Sequence, residues 1–453
     1  MKTNRVIKIF LASSEELEAD RYRFGNLIRK LDNIYEKRGI RIELFEWEDY
    51  DAAYNGMRKQ DEYNERVRAS DMFLALFHKK AGKFTIEEFN IARKAFDEQA
   101  SPKIYTYIKD LEAGESESRE LAEFKRLMLE ELGHYWCRYS NFDTMQLHFV
   151  LQLQMVETTT PIKVEVKESQ VKIGDSTIAD LNNVPFTSEN ATHRELQSRK
   201  EQLDREIGNA ESGGRRGFFG QRSRMTDEEL ANLREERESV TEQIERQEKA
   251  LVDTAMSIAR MQGGECSPRM RTAAELFEKG ETDKAEAVLK EDDMEADATN
   301  AKLKFDTAAQ PTAELARNIE RCAGEYMLKA RIVVSGIADE SRYRQAVKLM
   351  STAIDLVSGR LPEETLAEYL FDYAVLLADA GQQTKALETW ERLSGIYERL
   401  YRKAPQKYAY GYAGVLNNMA VLYSDKGDFD HCLSKYLKAI DIYDWLDREE
   451  PGI

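Results

Sequence analysis

The sequence predicts an α/β region followed by an all-α region, and three patterns carry that prediction. Short β-rich runs alternate with helix-periodic segments from residue 5 to about 156, long charged segments with steps of three and four residues begin at Ser188, and the C-terminal part repeats itself at a fixed offset. A chain of 453 residues exceeds one ordinary core and suggests several units.

The β-rich runs are Val6–Ala12, Ile40–Trp47, Met72–Phe77, Lys103–Ile108 and Tyr135–Tyr139. Between the first two, Phe24, Leu27, Ile28, Leu31 and Ile34 fall at helical spacing. Such alternation implies βαβ units and a parallel sheet with helices on both faces. Five strands in this order suit a flavodoxin-like sheet, which sets the first domain at residues 1–157.

Pro161 opens a different composition. Ile162-Lys163-Val164-Glu165-Val166 and Val171-Lys172-Ile173 alternate with period two, and a small β-hairpin is expected within residues 158–187. Over 188–262 the series Leu230, Leu233, Arg237, Val240, Ile244, Gln247, Leu251 and Ile258 follows the spacing of a heptad seam, as do Leu196, Leu203, Ile207 and Ala210. The two segments read as an antiparallel, coiled-coil-like hairpin whose tip is the basic, glycine-rich stretch Gly213–Gly220. A spacer packing on itself accounts for it, as does a dedicated partner surface.

Residues 263–453 carry the repeat. Ala374, Val375, Leu376, Gly381, Leu387, Ile396, Tyr397, Leu400 and Pro405 recur as Ala420, Val421, Leu422, Gly427, Leu433, Ile442, Tyr443, Leu446 and Pro451. Each unit reads as two helices joined at the glycine and closed by the proline, with Gly280 and Ala285 echoing Gly381 and Ala386. The pattern resembles an elongated tetratricopeptide repeat (TPR), which implies a helical array that recognises a protein or peptide. The lack of an obvious polar cap helix before Ile453 suggests either a truncated chain or one that stacks on another molecule.

Composition narrows the functions. A formal charge of −17 argues against nucleic-acid binding, which needs a basic face, although Arg215 and Arg216 make a local basic patch. Cys137, Cys266, Cys322 and Cys432 stand far apart, and His78, His134, His148, His193 and His431 lack ligand-spaced partners, so neither a metal site nor a disulfide framework is expected. The one apolar run near the start is interrupted by Lys8 and too short for a leader or a membrane span, and a cytoplasmic protein with reduced thiols is expected. No G-x-G-x-x-G follows a strand, so a bound dinucleotide would be a substrate and not a redox cofactor.

Ser70–Phe77 followed by Gly82–Ala92 reads as a buried strand, a short loop, and a helix opening with Glu87 and Glu88 at the strand's carboxyl end, where open parallel sheets bind ligands. Three segments together resemble a bacterial Toll/interleukin-1 receptor/resistance (TIR) domain: Lys8–Ser14, Phe45–Tyr50, and Glu88-Phe89-Asn90-Ile91-Ala92. The resemblance covers about a third of the chain, with Phe84 standing nearest to the tryptophan usual in the family. It implies either cleavage of NAD⁺ at the nicotinamide–ribose bond or assembly without catalysis, and Glu88 matches the family's essential helix glutamate. The chemistry agrees, because departure of a cationic pyridine leaves positive charge on the ribose that one fixed carboxylate stabilises.

Beside Glu88, the candidate substrate-binding residues are Phe10, Ser13 and Ser14 ending the first strand, Trp47, Asp49 and Tyr50 after the second, and Phe84 and Glu87 at the helix start. Other readings stand next to these. Thr85-Ile86-Glu87-Glu88 also fits a capping box, with Thr85 as N-cap and Glu88 reaching back to it. Phe10, Ser13 and Ser14 fit a capped turn, Trp47 fits core packing, Glu87 points to solvent, and Lys79, Lys80, Lys83 and Arg21 fit solvated surface charges. Three functions follow: a TIR–TPR NAD⁺ hydrolase of antiviral defence switched on by self-association of TIR domains, a non-catalytic scaffold of the same build, and an enzyme like the nucleoside deoxyribosyltransferases.

Overall fold

The computed structural model describes residues 5–37, 39–45, 59–130, 134, 136–156, 164–212, 225–261, 266–336 and 339–449. Trp47, Asp49, Tyr50 and the Gly213–Gly220 tip lie outside the described residues. The chain forms two compact units, residues 1–162 with 390–453, and residues 163–389.

The first unit opens with β1 (Arg5–Ser13), α1 (Glu18–Glu36), β2 (Ile40–Phe45), α2 (Lys59–Arg68), β3 (Met72–Phe77), α3 (Lys83–Gln99), β4 (Lys103–Lys109), α4 (Arg119–Glu130), β5 (Cys137–Tyr139) and α5 (Phe142–Val156). The five strands pair in parallel in the order β2-β1-β3-β4-β5, the flavodoxin-like arrangement expected. Met72–Phe77 contains no polar residue and all six side chains are buried, as a central parallel strand covered on both faces requires. Alternation divides its side chains between the two faces. Phe73, Ala75 and Phe77 join Phe10 and Ala12 of β1, Phe89 of α3 and Phe124 of α4 in one cluster. On α1, Phe24, Leu27, Ile28 and Leu31 are buried, and Phe24 meets Phe149 of α5 edge-on at 4.7 Å.

Chain direction fixes where a ligand can enter. After β1 the chain runs into α1, which packs on β2 and α5, whereas after β3 it runs into α3, which packs against β1, β3, β4 and α2. β1 and β3 are neighbours, so their carboxyl ends, Ser13 and Phe77, flank a topological switch point.

The second unit begins with β6 (Val164–Lys167), β7 (Gln170–Ile173) and β8 (Ser176–Asp180), then α6 (Pro185–Ser188), α7 (Ala191–Ser212), α8 (Asp227–Met261), α9 (Pro268–Glu278), α10 (Thr282–Val288), α11 (Glu291–Thr307), α12 (Ala313–Ser335), α13 (Glu340–Val357) and α14 (Glu363–Asp379). The expected hairpin is thus a three-stranded antiparallel sheet, order β6-β7-β8. Ser176–Asp180 carries only Ile178 and Ala179 as apolar residues, too few to announce a strand. Glu168 and Ser169 form the β6–β7 turn with φ of 54° and 55°, a left-handed pair that usually falls to Asn-Gly.

α7 and α8 form the expected antiparallel hairpin. Leu203, Val240 and Ile244 are its core, flanked by Leu196 and Leu233, and Arg199–Glu236, Arg237–Asp204 and Arg234–Glu211 pair across it at 2.5, 2.9 and 2.6 Å. The C-terminal part of α8 does more than pack on its hairpin partner. Leu251, Val252, Ala255 and Ile258 are buried and α8 lies against α12, with Thr254 Oγ1 donating to the Arg331 carbonyl at 3.2 Å.

α15 (Gln383–Lys403) crosses the unit boundary, and α16 (Pro405–Asp425) and α17 (Phe429–Glu449) complete the first unit. The repeat shows itself as one recurring helix end. Glu281, Gln382 and Asp428 each donate their N–H to a carbonyl five residues back, on Leu276, Leu377 and Tyr423, around Gly280, Gly381 and Gly427 at φ of 78°, 70° and 73°. Gly280 is further constrained, because a Cβ there would lie 2.7 Å from the Glu189 carbonyl carbon. Ala409, Tyr412, Ala413 and Leu416 of α16 bury against Ala439, Ile442 and Leu446 of α17, while Phe429, Leu433, Leu437 and Ile440 form an exposed stripe on α17.

Candidate functional site

α3 sets the position of the candidate glutamate. Its N-cap is Gly82, in extended conformation and without a side-chain cap, and the Ile86 N–H donates to the Gly82 carbonyl at 3.0 Å. Thr85 is therefore inside the helix, and the capping box read from Thr85 to Glu88 does not form. Glu88 falls in the second turn, where it is 9% exposed on the buried face with Thr85, Phe89 and Ala92. Phe84, one turn earlier on the same side of the helix, is 58% exposed. Glu87 is half-buried and not directed to open solvent, with the Asn64 amide of α2 at 3.5 Å from its Oε1.

The residues ending β1 stand differently. Phe10 is in the core, stacked on Phe73 at 5.9 Å. Ser13 Oγ accepts from Arg21 Nη1 at 2.9 Å, and the same nitrogen donates to the Ser14 carbonyl at 3.0 Å. Arg21, read as a solvated charge, is 2% exposed, because its guanidinium is turned to the strand end where free carbonyls need donors. Ser14 Oγ donates to Glu16 Oε1 at 3.2 Å, and that oxygen also accepts the backbone N–H groups of Lys79 and Lys80 at 3.0 and 3.4 Å.

The β3–α3 loop is held from a second side. Lys79 Nζ pairs with Glu115, which raises the lysine's pKa and lowers that of the carboxylate, in both through their hydrogen bond first. The Ser118 N–H donates to the Lys79 carbonyl at 2.6 Å. Further along the same edge, Asp20 accepts from Lys109 Nζ at 2.9 Å and from the Tyr139 hydroxyl at 3.1 Å. Burial, then Asp20, pushes the Tyr139 phenol far above its ordinary range.

The structure thus gathers Ser13, Ser14, Glu16, Arg21, Lys79 and Lys80 at the switch point, with Phe84, Glu87 and Glu88 on the helix that leaves it, while Phe10 packs beneath. Glu16 was not among the candidates, although Glu15-Glu16 directly after Ser13-Ser14 at a strand end is a signal for it. A groove of about 330 Å³ lined by Tyr22, Gly25, Ile28, Arg29, Asp32, Ile42 and Leu44 lies between α1 and β2 and contains none of the candidates. Among the described residues no group of His, Cys, Asp or Glu is arranged to hold a metal, all four cysteines are free, and no helix is long and apolar enough to cross a membrane.

The second unit holds a polar cluster that spacing could not reveal. Glu248 is fully buried, and its Oε1 accepts from Ser169 Oγ at 2.6 Å and lies 3.0 Å from His193 Nε2. Gln247 donates to Asn190 Oδ1 and to the Ser335 carbonyl, and Asn190 donates to Thr282 Oγ1. No model of a known protein family matches the sequence, and no curated protein does.

Proposed function

We propose that the sheet region hydrolyses NAD⁺ at the nicotinamide–ribose bond, with Glu88 as the carboxylate that stabilises the developing ribosyl cation. The observation that carries this reading is the position of Glu88, buried in the second turn of α3 while Gly82 caps the helix, so that capping does not account for it. The exposed ring of Phe84 one turn away supports it as a face for a planar cation. NAD⁺ is the substrate, and the ribosyl centre passes to water as nicotinamide leaves. In this reading the helical repeats bind a protein or peptide trigger and bring copies together, and loss of NAD⁺ serves antiviral defence in the cytoplasm. Trp47, Asp49 and Tyr50 are assigned to the substrate side or to contact between copies by resemblance alone.

Nicotinamide release measured across protein concentrations tests turnover and dependence on assembly together. Release that rises more steeply than concentration and falls by about 10²–10³-fold in Glu88→Gln is expected, whereas full activity in Glu88→Gln removes the assignment. The scaffold reading is favoured by one observation, the mutual satisfaction of Ser13, Ser14, Glu16 and Arg21, and it predicts no release in any assembly state. Turnover of nucleosides in place of NAD⁺ would select the deoxyribosyltransferase-like reading.

A further inference from the structure

Glu16 sits where the sheet's geometry favours an anion. The carboxyl ends of β1 and β3 flank the switch point, and donors from both converge on a single oxygen of Glu16: the Ser14 hydroxyl after β1 and the Lys79 and Lys80 amides after β3. Consecutive backbone N–H groups in a loop form a concavity suited to phosphate oxygens. These amides are held in place, since the Lys79 carbonyl accepts from Ser118 and its ammonium pairs with Glu115. Lys80 in this loop and Lys83 at the first position of α3 are exposed cations, and Ser14 is buried where it donates.

We infer that Ser14, Lys79 and Lys80 form a subsite for the diphosphate of a nucleotide ester, and that the Glu16 carboxylate is an internal occupant that a ligand must displace. The inference rests on the NAD⁺ reading for its ligand class but not for its geometry. Glu16 is exposed and lies in a short 3₁₀ turn, Glu15–Leu17, so that it can swing out without unpacking Leu17, which is buried. While seated, it repels an incoming phosphate and satisfies the donors in its place. Affinity for substrate is therefore set by how readily this carboxylate leaves.

The test titrates ADP-ribose, inorganic pyrophosphate and AMP into the full chain, as wild type, Glu16→Ala and Glu16→Gln, by calorimetry, with the Lys79 and Lys80 amides followed by NMR. Glu16→Ala is expected to bind ADP-ribose and pyrophosphate about tenfold more tightly, Glu16→Gln to gain less, and both amide signals to move on binding. Unchanged affinities in both variants, with wild-type circular dichroism, overturn the inference. An equal gain for AMP overturns the diphosphate assignment, and Glu16→Gln, which keeps the side chain's shape, decides the matter if Glu16→Ala does not fold. Tighter diphosphate binding without any nicotinamide release would sink the Glu88 reading and leave this one standing.

Discussion

Both units bury charged side chains, yet they bury them in different company. In the sheet region Asp20 accepts from Lys109 and Tyr139 at the ends of β4 and β5, Arg21 donates to Ser13 and to the Ser14 carbonyl at the end of β1, and Glu88 lies in the second turn of the helix that follows β3. In the helical unit three charged side chains of α12 lie inside the helix and reach across to neighbouring elements. Arg331 of α12 meets Asp372 of α14 at 2.8 Å, Glu325 of α12 accepts from Arg269 of α9 at 3.0 Å, and Lys329 donates to the Leu289 carbonyl at 2.7 Å. The charges of the helical unit find their partners within packed helices, whereas Arg21 finds its partners at a strand end that flanks the switch point. Burial of a charge therefore does not by itself mark a site, and its place along the element decides. Mid-helix pairs fix which helices meet and in what register, because breaking one leaves its partner stranded in the interior.

The comparison breaks most readily at its two glutamates. Glu88→Gln is expected to lower nicotinamide release by about 10²–10³-fold, the scale of losing one preorganised electrostatic group, with the urea midpoint little changed. A large fall in stability instead would place Glu88 with the helix-pinning charges. Glu248→Ala is the converse experiment and is expected to destabilise the helical unit by about 1–3 kcal/mol for each buried group left without its partner, since His193 and Ser169 both lose contact with the carboxylate. Gly280→Ala should cost about 2–3 kcal/mol, through its left-handed backbone and the contact with Glu189, and chemical denaturation measures it. The same change at Gly381, where a Cβ meets nothing, carries only the backbone part.

Acid acts on the sheet region. Burial lowers His134 and His148 to about 4 from an ordinary 6.5. Protonation is thus easier in the unfolded chain, so their stability contribution is complete above about pH 6.5 and is lost as pH falls toward 4. At pH 5 each costs about 2 kcal/mol by this linkage. Urea midpoints at pH 7 and pH 5 should differ less in His148→Phe than in wild type, and an unchanged difference refutes this histidine's role.

What the sequence showed and what it hid follow from the range of each interaction. Strand alternation and the glycine-ended repeats are local, and Met72–Phe77 or Gly381 and Gly427 announce themselves without knowledge of the fold. Thr85–Glu88 misled because a local capping motif competes with Gly82 three residues earlier, and only the packing of α3 decides where the helix begins. Arg21 looked like surface charge because helical spacing says which face is apolar, not that a guanidinium folds back over a strand end. The convergence on Glu16 joins loops more than sixty residues apart, and His193 with Glu248 spans 55. No periodicity connects such pairs.

The turn between β6 and β7 has a consequence of its own. Glu168 and Ser169 hold a conformation better suited to residues with less steric bulk, at about 1–3 kcal/mol each, and Ser169 uses it to deliver its hydroxyl to Glu248 inside the helical unit. Replacing the pair by Asn-Gly would ease the backbone and sever that link in the same stroke. The tip of this small hairpin is a fastener whose awkward shape is the condition of its grip, so a design that improved the loop on its own terms would loosen the helices it secures.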